Sequence, residues 1–73
     1  MARDGGVLKV KINGTVTEIE EPLSVAGLMT TRGINPSEVV VQYNGDIVDK
    51  SGWETILLKE NDELEILRFV GGG

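Results

Sequence analysis

Two Asn-Gly pairs constrain the fold of this chain more than any other feature of the sequence. Asn13-Gly14 follows the alternating run Val7–Ile12, and Asn44-Gly45 follows the apolar run 39–43. A type I′ turn needs positive φ at both central residues, which asparagine and glycine tolerate best. Each pair therefore predicts a tight β-hairpin, and the returning strands are expected at 15–20 and 46–48.

One short amphipathic helix is predicted between the two hairpins. Ser24 suits the N-cap position, because its hydroxyl oxygen can accept a hydrogen bond from a first-turn amide. Apolar residues then recur at i, i+3 and i+4, and they are Val25, Leu28 and Met29. Gly27 either costs the helix about 1 kcal/mol relative to alanine or marks its close approach to the sheet. Gly33 suits the left-handed position after the last turn.

Two other stretches depart from simple periodic patterns. Val16 and Ile19 lie on opposite phases of the second strand, which predicts a bulge or an early strand end. The segment 50–58 is irregular, and we expect Trp53 and the apolar run 56–58 to close one end of the core from a turn or a short 3₁₀ segment.

The length of 73 residues predicts one small domain. We assign residues 1–6 to a flexible leader, 7–70 to the folded domain and 71–73 to a flexible glycine tail. The element order is strand, strand, helix, strand, strand, irregular segment, strand. It predicts an α+β fold in which one main helix packs on one face of a mixed four- to five-stranded sheet.

The composition excludes several kinds of chemistry. There is no cysteine and no histidine, so thiolate nucleophiles and the commonest general base and metal ligand are missing. No zinc spacing, nucleophile elbow or phosphate loop is present, so we predict no catalytic residue, no metal site and no bound cofactor.

Charge and hydropathy restrict the partners and the location. Seven scattered bases against twelve acids, a net charge of −5, argue against nucleic acid or an anionic membrane and favour a partner with a basic docking surface. The sequence has no membrane span or signal-peptide core, so a cytoplasmic protein is the default.

The last predicted strand, 63–70, changes its pattern before the chain ends. Leu64 and Ile66 share one phase, whereas Leu67 and Phe69 take the opposite phase. This pattern has two interpretations. Either the strand leaves the core after Ile66 and places Leu67, Phe69 and Val70 in an apolar partner-docking patch on the outer face, or a bulge turns these side chains back inside.

Three glycines, Gly71 to Gly73, close the chain. A tail without Cβ atoms, roughly 10 Å long when extended, can enter a narrow active site of a neighbouring protein. The alternative is a chain end without a role. By elimination, the α-carboxylate of Gly73 is the group with unusual chemical prospects. If a partner couples it to AMP, its carbonyl carbon becomes open to attack by sulfur or nitrogen.

The segment VVVQYNGDIVDKSGWETILLKENDELEILRFVGGG resembles the sulfur carriers of thiamin biosynthesis, the ThiS family of ubiquitin-like β-grasp proteins. The resemblance covers nearly the whole chain from Val7. It rests on Asn44-Gly45 with Ile47-Val48, on Trp53, on the Asp62 turn with Glu65-Ile66, and on the closing Gly-Gly. Asp49-Lys50 departs from the pattern, since the family often has proline and a basic residue there.

The resemblance implies a β-grasp fold and a set of partners. An E1-like adenylyltransferase would use ATP to adenylate Gly73, and a persulfide donor supplied by cysteine desulfurase would convert the carboxylate to a thiocarboxylate. Thiazole synthase would then take the sulfur. Gly71 and Gly72 form the tail required for access. Two alternatives are the small subunit of molybdopterin synthase, whose helix is usually longer, and a ubiquitin-like binding module with an inert tail.

Overall fold

The computed structural model describes residues 6–69, so most of the predicted leader and all of the predicted glycine tail lie outside it. The described chain forms five strands, one α-helix and two 3₁₀ helices. The strands are β1 (Val7–Ile12), β2 (Thr15–Glu20), β3 (Val39–Tyr43), β4 (Asp46–Val48) and β5 (Glu63–Arg68). The helix is α1 (Val25–Thr31), and the 3₁₀ helices are Pro36–Glu38 and Lys50–Thr55.

The strands form one mixed sheet in the order β2-β1-β5-β3-β4. The hairpin pairs β1–β2 and β3–β4 are antiparallel, and so is β3–β5, whereas β1 and β5 are parallel. The last strand therefore lies in the middle of the sheet. This arrangement confirms the predicted α+β class with one main helix, and the predicted four- to five-stranded sheet has five strands.

Both Asn-Gly turns form as the sequence predicts. The φ angles are 51° and 83° at Asn13-Gly14 and 50° and 93° at Asn44-Gly45. The predicted irregularity of β2 is wrong, because its register with β1 is unbroken over all six residues. Val16 simply occupies an outer-face position, where it is 59% exposed, and Ile19 lies in the core.

The helix begins and ends where its capping residues predict. The Ser24 Oγ accepts a hydrogen bond of 2.9 Å from the Gly27 N–H, and Gly33 has a φ of 70°. The sheet is not what approaches Gly27. A Cβ atom there would lie 2.9 Å from the Leu23 Cδ1, in the chain just before the helix.

The core lies between the sheet and the layer made by α1 and the second 3₁₀ helix. Its buried apolar residues are Val10, Ile12, Ile19, Val25, Leu28, Met29, Val39, Val41, Trp53, Leu58 and Leu64. The indole N–H of Trp53 donates to the Val48 carbonyl over 3.3 Å, so its polar atom is satisfied in the core.

The expectation that Leu57 helps to close the core is wrong, because its side chain is 56% exposed. Leu57 forms a bridge with Ser24, and the amide of Leu58 donates to the Leu23 carbonyl over 2.9 Å. The chain is extended here, so successive side chains point to opposite sides. Ile56 and Leu58 take the inner side, and Leu57 takes the outer side.

A buried carboxylate lies immediately before β5. Asp62 is only 5% exposed. Its Oδ2 accepts hydrogen bonds from the Tyr43 hydroxyl (2.7 Å) and from the Lys59 amide (2.8 Å), and its Oδ1 accepts one from the Asn44 Nδ2 (3.2 Å). The Lys59 Nζ in turn donates to the Tyr43 hydroxyl oxygen over 3.1 Å. Asp62 thus ties the start of β5 to the end of β3.

These contacts lower the pKa of the Asp62 carboxyl. Burial alone would raise this pKa, but the hydrogen bonds from Tyr43, from the Lys59 amide and from Asn44, together with the nearby Lys59 ammonium, outweigh burial. The unfolded state therefore binds the proton more tightly than the folded state. The stability that Asp62 contributes is present above the ordinary aspartate range, near pH ~4, and is lost as the pH falls through the lower pKa of the folded state.

We expect Asp62→Asn to lower the free energy of unfolding at pH 7 by about 1–3 kcal/mol, because the new amide group cannot accept the hydrogen bonds made to one carboxylate oxygen. Part of the wild-type loss of stability below pH ~4 should also disappear. Urea denaturation at several pH values measures both effects. Asp46→Asn, at an exposed carboxylate of β4, is the control and should change little. Wild-type stability in Asp62→Asn at pH 7 would contradict the structural role given to this carboxylate.

Candidate partner-docking face

The pairing of β5 and the exposure of its side chains decide between the two interpretations of the last strand. Its pairing with β3 runs without a bulge from Tyr43↔Leu64 to Val39↔Arg68, and the Phe69 amide still donates to the Glu38 carbonyl over 3.1 Å. Leu64 is 1% exposed, whereas Leu67 and Phe69 are 49% and 48% exposed. Leu67 and Phe69 therefore lie on the outer face. The third predicted member, Val70, lies outside the described residues.

Two further residues extend this outer surface across the sheet. Val40 of β3 pairs directly with Leu67, and Ile47 of β4, which is 69% exposed, pairs with Gln42 on the same face. We call Val40, Ile47, Leu67 and Phe69 the apolar patch. Exposed apolar patches of this kind commonly mark partner surfaces.

Val40 and Ile47 were not predicted to belong to this surface. The outer-face position of Val40 was not evident from the apolar run of β3, because both faces of that strand carry apolar residues. A strict two-residue repeat placed across the Asn44-Gly45 hairpin would have assigned both residues to one face.

Charged side chains predominate on the other half of the outer face. Lys9 of β1 lies opposite Glu18 of β2, and Lys11 lies beside Glu63 of β5. Opposite charges on neighbouring strands attract each other only modestly, because both groups are exposed to solvent. Along β5 the surface changes from Glu63 and Glu65 to Leu67 and then to Phe69 just beyond the strand, so the apolar patch lies at the end of the strand from which the tail continues.

The predicted modified residue Gly73 and the predicted access residues Gly71 and Gly72 lie outside the described residues. Within residues 6–69, no group of three acidic side chains is arranged to hold a metal ion. In the same range no helix is long and apolar enough to cross a membrane. A groove of about 510 Å³ lies between β2 and α1, and none of the predicted site residues lines it.

The mixed five-stranded sheet with one main helix on one face defines a ubiquitin-like β-grasp protein. Its architecture is similar to the crystal structure of the thiamine biosynthesis protein ThiS from Geobacter metallireducens, with a TM-score of 0.79 and 26% sequence identity. The match covers 90% of this chain and 100% of that one. The chain belongs to the ThiS family, whose model matches residues 10–73.

Sequence relatives agree with this assignment. An uncharacterized protein, ycf40, from Trieres chinensis is 36% identical over 62 residues, which are 85% of each protein. A thiazole synthase from Magnetococcus marinus is 30% identical over 66 residues, 90% of this chain. The chain spans only 20% of the length of that synthase, and the same holds for a thiazole synthase from Paramagnetospirillum magneticum that is 33% identical.

Alanine substitutions at two leucines of β5 test which side of the strand supports the fold. Leu64→Ala should lower the free energy of unfolding by about 2–5 kcal/mol, because it opens a cavity in the core. Leu67→Ala should lower it by less than about 1 kcal/mol, because the side chain is half-exposed on the outer face. Urea denaturation of both variants measures the difference. Similar losses in the two variants would show that Leu67 belongs to the core.

Proposed function

We propose that this chain is the sulfur carrier of thiamin biosynthesis. Its Gly73 carboxylate is adenylated by an E1-like enzyme, converted to a thiocarboxylate, and used by thiazole synthase as the source of sulfur for the thiazole ring. The observation that supports this proposal most directly is the match of the ThiS family model, which extends through the closing glycines to residue 73.

The chemistry requires only a carboxylate from the carrier. A carboxylate oxygen of Gly73 attacks the α-phosphorus of ATP held by the activating enzyme, and pyrophosphate leaves. The terminal sulfur of a persulfide then attacks the carbonyl carbon, AMP leaves, and an acyl disulfide forms. A thiol of the donor system attacks the outer sulfur of that disulfide and releases the thiocarboxylate on Gly73. In this scheme the carrier is a substrate, and it binds no cofactor of its own.

The absence of histidine and cysteine fits this division of labour. Groups that activate a nucleophile or carry sulfur are supplied by the partner enzymes. ATP and the persulfide donor are both available in the cytoplasm, so we propose that location for the reaction.

The short distance between the sheet and Gly73 defines where a partner must bind. Four residues follow Phe69, and fully extended they span roughly 14 Å. An enzyme that works on the terminal carboxylate therefore binds near this end of β5, where the apolar patch offers it a contact surface. We assign the docking role to Leu67, Phe69 and Val70, and the role of a slim, unbranched tail to Gly71 and Gly72.

Three observations favour the thiazole branch over the alternatives. Two relatives are named thiazole synthases and include a region similar to this chain, which supports a functional pairing of carrier and synthase. The helix α1 has only seven residues, shorter than is usual in the small subunits of molybdopterin synthase. A binding module with an inert tail gives no reason for the family match to include the glycines.

Incubation with a ThiS-activating enzyme, ATP and a persulfide donor should increase the mass of the intact chain by the difference between sulfur and oxygen. Intact-protein mass spectrometry measures the product, and fragment ions should place the change at Gly73. A variant lacking Gly73 should keep its mass. Addition of thiazole synthase with its other substrates should restore the original mass, whereas molybdopterin synthase should not. A wild-type chain that never gains sulfur, or a deletion variant that still does, would refute the proposal.

Phe69→Ala should weaken docking without unfolding the protein. We expect the KM for the carrier in the adenylation assay to rise by about tenfold, since an aromatic residue at the centre of an interface commonly contributes this much. The melting temperature should change little. Val16→Ala, which removes an exposed side chain on the same face but outside the apolar patch, is the matched control and should leave KM unchanged. A large loss of thermal stability with unchanged KM would argue for a core role of Phe69.

A further inference from the structure

We propose that Asn13, in the turn between β1 and β2, is a positioning residue for the reaction at the chain end. It holds the distal part of β5, so that Phe69, the last described residue, keeps a fixed place at the end of the sheet. This inference rests on the proposed function and adds a residue outside both the apolar patch and the tail.

The geometry begins with the short pairing of β1 and β5. These strands pair only at Lys11↔Glu63 and Ile12↔Leu64, and β1 then turns away at Asn13-Gly14. The Asn13 amide of the main chain still donates to the Leu64 carbonyl over 2.8 Å. Beyond that point β1 has no further main-chain groups to offer to β5.

The side chain of Asn13 continues the pairing in place of the missing strand. Its Oδ1 accepts from the Ile66 N–H over 2.7 Å, and its Nδ2 donates to the Ile66 carbonyl over 3.2 Å. One primary amide therefore satisfies both main-chain groups of Ile66, as a residue of a neighbouring strand would do.

This contact decides whether the end of β5 is held on one side or on both. Towards β3, the pairing continues as far as the Phe69 N–H and the Glu38 carbonyl. Without the Asn13 amide, the strand from Ile66 onward would be held by β3 alone and would behave as an edge strand. Strand ends with fewer hydrogen bonds open more often. A carrier whose last strand opens would present its carboxylate in the productive geometry less often after docking.

The other turn provides a matched control. Asn44 occupies the same position of an Asn-Gly turn, with a φ of 50° against 51° for Asn13. Its side chain also contacts β5, but at the start of the strand. Its Oδ1 accepts from the Glu63 N–H over 2.8 Å, and its Nδ2 donates to the Asp62 Oδ1 over 3.2 Å. Asn44 thus anchors the start of β5, and Asn13 anchors its distal part.

The test compares Asn13→Gly with Asn44→Gly in the adenylation assay. Glycine keeps the positive φ angle and removes only the side-chain amide. For Asn13→Gly we expect kcat to fall about fivefold at saturating carrier with KM nearly unchanged, because docking persists while the tail reaches the active site less often. Asn44→Gly should destabilise the fold but keep the wild-type kcat at a temperature where it is folded.

Hydrogen exchange gives a readout that does not depend on any enzyme. In Asn13→Gly the amides of Ile66 and Phe69 should exchange about tenfold faster than in Asn44→Gly, after normalisation for global stability. Asn13→Asp keeps an acceptor for the Ile66 N–H but loses the donor to its carbonyl, and it should give intermediate values of both kcat and exchange. Asn13→Asp takes the place of Asn13→Gly in both measurements if Asn13→Gly does not fold.

Equal losses of kcat in the two glycine variants would overturn the proposal, and so would an unchanged kcat in Asn13→Gly. Unchanged exchange at Phe69 in Asn13→Gly, or in Asn13→Asp if only that variant folds, would also overturn it. If the wild-type chain is not adenylated at all, the proposed function fails, and the exchange experiment still decides whether Asn13 holds the end of the strand.

Discussion

The fold depends on hydrogen bonds to both sides of β5. The strand order places β5 between β1 and β3, so it is the only strand that connects the β1–β2 hairpin to the β3–β4 hairpin within the described sheet. A two-stranded hairpin is marginally stable at best in water. The side chain of Leu64 is almost completely buried, so the inner side of β5 also forms part of the core. The helix can then pack on one continuous surface.

The same strand also connects the folded body to the chain end that we propose as the reagent. Its inner side belongs to the core, and the outer surface at its end carries Leu67 and Phe69. The pairing with β3 continues to Phe69, which leaves few residues between the sheet and Gly73. On this proposal, a partner would contact the outer surface at the end of β5 and reach the terminal carboxylate in one binding event. Such an arrangement would suit the proposed carrier, whose side chains would take no part in the chemistry.

Local signals in the sequence were sufficient for most of the elements. The two Asn-Gly turns, the N-cap Ser24 and the apolar face of α1 were all predicted from neighbouring residues, because turns and caps are governed by short-range chemistry. The exposure of Leu67 and Phe69 could be predicted only as one of two options. Deciding between them required the register with β3, which depends on residues far away in the sequence.

Three of the missed or misplaced features depend on non-local contacts. Asp62 lies in a run of polar residues that is typical of a solvated turn, and its burial depends on Tyr43 and Asn44, which are 19 and 18 positions away. The contact of Asn13 with Ile66 could not be predicted from the sequence either, since the turn alone already accounts for an asparagine before glycine. Leu57 was misplaced because the extended bridge to Ser24 could not be read from the pattern of its own segment.

The distance along the chain between Asn13 and Ile66, 53 positions, has a consequence for protein synthesis. The first hairpin and the helix leave the ribosome well before the strand that must be inserted beside them, so the sheet cannot close until translation is almost finished. A product that terminates before β5 would lack the central strand of the sheet and would be exposed to degradation as an unfolded chain. Completion of the sheet would thus separate nearly full-length chains, which can fold, from shorter products, which cannot.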